Sequence, residues 1–132
     1  MSVEYRIDQE RSLVRLEVLD PLDLEQIAET VQRLLSDPKL RPGLNFLSDH
    51  SKLQSTATTD LVKSTPPLLV RLSERLGPFR CALVVPSEAS YGMARMAGVL
   101  AESSPAEVRA FRSLEEAEAW LAESPVVSSR DR

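Results

Sequence analysis

Four short stretches carry side chains able to do chemistry. "SDHS" (48–51) sets Ser48, Asp49 and His50 side by side, and His50 is the only histidine of the chain. A nucleophile, an acid and a base are the ingredients of acyl transfer. A working triad, however, needs them to converge in space around an oxyanion hole, which adjacency in the chain does not supply. No Gly-x-Ser-x-Gly elbow occurs either. No residue is therefore assigned a catalytic role, and the expectation is a protein that is not an enzyme. "STATTD" (55–60) offers a run of hydroxyls. Such a hydroxyl either caps a helix or, at a helix N-terminus, accepts a phosphate that the helix dipole favours.

Cys81 is the only cysteine, so no intrachain disulfide can form. It lies in the apolar run "CALVV" and reads as a small buried core residue. Strand alternation would turn its neighbour Arg80 to the opposite face. "YGMARM" (91–96) places Tyr91 and Arg95 four residues apart. On a helix they share a face. That face is either a packing surface or a contact surface, since Tyr and Arg are enriched in binding hot spots. No second His or Cys stands at metal-ligand spacing, and the four glycines are scattered rather than gathered into a phosphate loop. Neither a metal nor a cofactor is expected.

The elements that position these residues follow from periodicity. "VEYRI" (3–7) and "LVRLEVL" (13–19) alternate apolar and polar residues across a short polar turn, as an antiparallel hairpin does. "DPLD" then opens a helix, with Asp20 as the expected N-cap and Pro21 at the first helical position. Its apolar stripe is Leu24, Ile27, Val31, Leu34 and Leu35, and it ends near "SDPKLRPG". "LNFLSD" (44–49) reads as a buried strand. A helical turn near 58–64, a break and a second helix over 66–76 follow, because Pro66 and Pro67 cannot lie deep inside one helix. Thr65 is the expected cap of that second helix and Gly77 its stop.

"FRCALVV" (79–85) is apolar on both faces, as a parallel strand flanked on both sides is. Ser87 caps the helix holding Tyr91, and "AEVRAFR" (106–112) is a further strand. "SLEE" (113–116) is a capping box for a last helix that buries Leu114, Ala117, Trp120 and Leu121. The order is β-β-α-β-α-β-α-β-α: an α/β fold with a mostly parallel sheet and an antiparallel first strand at its edge. Asp49 and Val85 end strands that point the same way. The loops after them leave one sheet edge, where the helix with Tyr91 begins. Asp49, Tyr91 and Arg95, with the 55–60 loop, are therefore the expected contact surface.

This order, with "YGMARM" and "SLEEAEAWL" (113–121), resembles the SpoIIAA-like branch of the STAS superfamily, whose best-known members are anti-sigma factor antagonists. The resemblance covers most of residues 3–123. It implies a β-α superhelix with a covering edge strand, and a regulatory or protein-interaction module rather than an enzyme. By fold the branch is grouped with Sec14-type lipid-binding domains, which implies the alternative of a carrier or sensor for a small apolar or lipid-like ligand. In the antagonists a phosphorylatable serine of an Asp-Ser-Ser-Gly motif opens the helix after the strand matching 44–49. Thr58 stands near that place, and the four-residue string itself is not present.

The chain has 132 residues and a formal net charge of −4. That is enough chain for one core, expected over 1–123, with 124–132 as a flexible tail. The mildly acidic balance excludes a broad nucleic-acid footprint, which needs a basic stripe. No apolar run is long enough to span a membrane, and "MSVEYRIDQE" has no apolar leader core, so a cytoplasmic protein is expected. A protein partner, a small apolar ligand and a second copy of the chain remain open as partners.

Overall fold

A computed structural model describes residues 3–123; the tail expected over 124–132 lies outside the described residues. Two alternating runs pair first. Strands β1 (Val3–Asp8) and β2 (Leu13–Val18) form the antiparallel hairpin, with Val3 opposite Val18 and Tyr5 opposite Leu16. The turn between them is closed by Asp8, whose carboxylate accepts the Arg11 N–H at 3.2 Å. Helix α1 (Leu24–Leu35) crosses to β3 (Asn45–Asp49), which lies parallel to β2. Helices α2 (Thr59–Lys63) and α3 (Thr65–Leu76) lead to β4 (Phe79–Val84), and α4 (Glu88–Leu100) to β5 (Ala106–Phe111). Helix α5 (Leu114–Glu123) closes the chain. The five strands stand in chain order, β1-β2-β3-β4-β5, and all pairs but the first are parallel.

That order decides where the helices go. Right-handed crossovers stepping one way across a sheet put every connecting helix on the same face. α1, α3 and the start of the 3-10 turn after α4 bury Val31, Leu34, Leu69, Leu72 and Ala101 in one cluster with Val14, Leu16, Phe46, Phe79 and Cys81 from the sheet. Among the described residues the other face has one cover, α5, whose Ala117, Trp120 and Leu121 meet Leu13, Leu47, Ala82 and Val84. Arg80 lies on this second face. Its guanidinium sits 4.6 Å from the Trp120 ring centre, so the alternation that separates it from Cys81 holds.

Two caps differ from expectation. Asp23, not Asp20, caps α1, accepting the Glu25 N–H at 2.9 Å. Asp20 instead reaches across the fold and holds the segment after β3, accepting the Gln54 N–H at 2.8 Å and the Ser55 hydroxyl at 2.6 Å. Asp23 stands directly before the helix, and the distant partners of Asp20 hold that carboxylate away from the cap. The proline break falls as expected, at Ser64, but Thr65 is the first residue of α3 rather than its cap. Its hydroxyl donates to the Leu61 carbonyl at 3.2 Å, tying α3 to α2. Ser87 and Ser113 cap their helices as expected. No helix among the described residues is long and apolar enough to cross a membrane.

The small residues of α4 have unequal duties. A Cβ placed on Gly98 would stand 2.9 Å from the Val108 carbonyl oxygen of β5, whereas one on Gly92 would meet nothing within 4 Å. Gly98→Ala is therefore expected to destabilise by about 1–3 kcal/mol through overpacking. Gly92→Ala should stabilise by about 0.5–1 kcal/mol, because alanine is the better helix former. Urea denaturation of both variants checks this; effects of equal sign would rule out the close approach at Gly98.

Candidate functional site

Between the sheet and its helical face lies a cavity of about 160 Å³. Its floor is the inward-facing side chains of three strands: Leu16 and Val18 of β2, Phe46 and Ser48 of β3, Cys81 and Leu83 of β4. Ile27 and Val31 of α1, Leu69 and Leu72 of α3, and Met93, Ala94 and Ala97 of α4 form walls and roof. The segment after β3, held by Asp20, contributes Leu53 and Ala57, and α2 adds Leu61 and Val62. Asp20 has its carboxyl held below the ordinary carboxylate range by the Ser55 hydroxyl first and the Gln54 N–H second. No Asp, Glu, Lys or Arg lines the cavity among the described residues.

Among the polar side chains on this mainly apolar wall, Ser48 and His50 pair with each other. Alternation along β3 continues past its last residue, so Ser48 and His50 share the cavity face. Ser48 Oγ lies 2.8 Å from His50 Nε2. The backbone fixes the histidine from both sides: its N–H donates to the Val84 carbonyl at 2.8 Å and its carbonyl accepts the Leu53 N–H at 3.0 Å. His50 keeps some accessible surface, but as part of a cavity wall with protein packed around it. This desolvation pushes the imidazole down to about 4, against a weak opposing pull from the Asp49 charge. At neutral pH it is uncharged. Burial likewise pushes the Cys81 thiol up to about 12, so it stays protonated and unreactive.

The expected contact residues are distributed differently. Asp49 faces the α5 side of the sheet, opposite Glu17 on β2 and Val84 on β4, and its carboxylate accepts the Ser51 N–H at 2.9 Å. α4 packs on the other side, so the structure does not bring Asp49 to Tyr91. Tyr91 is half-buried against Val85, Ala94 and Ala110. Arg95 is exposed and makes no hydrogen bond or ion pair with the described residues. Thr58 is exposed and caps the five-residue α2, accepting the Leu61 N–H at 3.1 Å. In the sequence Ser48 is a chain neighbour of His50. The signal that pairs them, period-two alternation carried two residues beyond the apolar run, was there to be read.

Compared with solved structures, the chain is similar to an uncharacterized protein of the DUF3478 family with a SpoIIAA-like fold from Shewanella loihica PV-4. The TM-score is 0.56 at 18% identity, over 90% of this chain and 91% of that one. The fold is SpoIIAA-like. The helical motifs that suggested the resemblance occupy α4 and α5 of this SpoIIAA-like frame. No family model and no curated protein matches the chain.

Proposed function

We propose that the protein is a carrier or sensor that takes a small, mainly apolar ligand into the cavity between its sheet and helices. The observation that carries this reading is the cavity itself. Native interiors are close-packed, and voids larger than a water molecule are few. A mainly apolar cavity of about this size can accept a small hydrocarbon. The test is a titration of the protein with toluene, followed by amide NMR shifts. Saturable shifts should cluster on both floor and roof, at Phe46, Cys81 and Ala94. They should vanish in Cys81→Leu, which fills the space. Absence of any saturable shift overturns the proposal.

A second reading, a protein-interaction module, is favoured by the outer face of α4. Met96 is 38% and Val99 63% exposed, beside the unpaired Arg95. An acidic partner segment with apolar residues suits that surface. If Arg95→Ala and Tyr91→Ala keep the wild-type melting temperature and lose such a partner, this reading stands. If they lose stability and keep the partner, it fails.

Both readings are non-enzymatic. A Ser–His contact alone resembles the start of a nucleophilic site. Here the base is too weak at about 4, and Asp49, which would orient it, faces the other side of the sheet. Turnover of p-nitrophenyl acetate by His50→Ala should therefore equal that of the wild type. A hundredfold loss in a folded variant would contradict this.

A further inference from the structure

We infer that the cavity selects a neutral ligand about the size of one ring with a single hydroxyl, an alcohol or phenol, docked on the Ser48–His50 pair. This rests on the cavity reading above and adds the chemistry of its occupant. Size comes first. An engineered cavity of about 150 Å³ accommodates benzene, and this one measures about 160 Å³. The ligand thus has about six to eight heavy atoms.

Charge comes second. The walls present no cation or carboxylate among the described residues. An anionic ligand would surrender its hydration without a counter-ion, a cost no apolar contact offsets.

The polar group comes third. Of the other hydroxyls on the cavity wall, Ser55 donates to Asp20 at 2.6 Å and Thr65 to the Leu61 carbonyl at 3.2 Å, while Ser90 accepts from the Ser87 hydroxyl at 3.1 Å. The Ser48–His50 pair makes one hydrogen bond between its side chains, and the second ring nitrogen makes none with the described residues. If Nε2–H donates to Ser48, then the serine O–H and Nδ1 remain as donor and acceptor. If Ser48 donates to Nε2, then Nδ1–H and the serine oxygen lone pairs remain. In both tautomers the pair offers one donor and one acceptor. The two groups lie on opposite sides of the imidazole, so a ligand hydroxyl meets one of them, as donor or as acceptor whichever tautomer is present, whereas an ether or ketone meets only a donor and a hydrocarbon meets neither.

The experiment titrates the full chain at pH 7 with toluene, phenol and benzoate, followed by amide NMR shifts. A purely apolar cavity ranks toluene above phenol, because phenol must give up its hydrogen bonds to water. Phenol is expected to bind at least fivefold more tightly than toluene, with no saturable binding of benzoate. His50→Leu should reverse the order of phenol and toluene. Ser48→Ala, the milder change, should narrow the gap and keeps the test open if His50→Leu does not fold. Phenol binding no tighter than toluene, or benzoate binding as tightly as phenol, overturns the inference and leaves the cavity reading intact. Binding of none of the three overturns both.

Discussion

Trp120→Ala is expected to cost about 3–5 kcal/mol, the range for removing a large buried aromatic side chain. Among the described residues α5 is the one helical cover of this sheet face, and Trp120, 4% exposed, is the largest side chain in that cluster. Its ring stands 5.6 Å from Phe111 and 4.6 Å from the Arg80 guanidinium. Arg80 also donates to the Trp120 backbone carbonyl at 2.8 Å, and its side chain is paired to Glu107 at 3.3 Å. Truncation would open a cavity and strip the apolar lid from a guanidinium whose other contacts stay in place. Urea unfolding followed by circular dichroism measures the loss. Trp120→Phe, which keeps a ring for Phe111 and Arg80, should lose less than half as much. A loss below about 1 kcal/mol for alanine would mean that α5 is not fastened through this residue.

The second large effect is a loss of stability in mild acid, with His50 as its source. The folded imidazole titrates at about 4 and the ordinary value is 6.5. Between these values the unfolded chain holds a proton that the folded chain refuses. Stability therefore rises with pH across this window and falls as the solution is acidified from about 6.5 toward 4. At about 1.4 kcal/mol per pH unit, the gap amounts to about 3 kcal/mol by its lower end. Asp20 and Asp37 titrate lower still, Asp37 because the Lys39 N–H and then the Tyr5 hydroxyl bond its carboxylate, so their losses come below this window. Unfolding free energies measured from pH 4.5 to 7 should slope steeply for the wild type and much less for His50→Leu. Parallel curves would place the proton elsewhere.

Much of the architecture was legible because neighbouring residues write it locally. Alternation in 3–7 and 13–19 and the capping sequence at Ser113 each need only a few consecutive side chains. So does the proline pair that splits α2 from α3. The Asp20 and Asp23 pair shows where local reading ends. Both can cap, and the partners that claim Asp20 lie more than thirty residues away at Gln54 and Ser55. The site was harder. His50 was visible as a residue, but its meaning depends on the face it takes, and that depends on whether strand geometry persists past Asp49. The cavity was not visible at all. It is the space that Leu16, Phe46, Leu72 and Ala97 fail to fill together, and no one of them announces a void. The small residues of α4 hinted at close packing, which Gly98 achieves against β5 while Ala94 and Ala97 leave room over the sheet.

That unfilled space also bears on mechanical response. Unfolding eliminates the packing defects of the folded chain, so the partial molar volume drops. A void of about 160 Å³ contributes on the order of tens of mL/mol to that drop. Hydrostatic compression should therefore unfold the protein readily, and any molecule lodged over the sheet should make it resist. Pressure becomes a gauge of occupancy that needs no knowledge of what the occupant is.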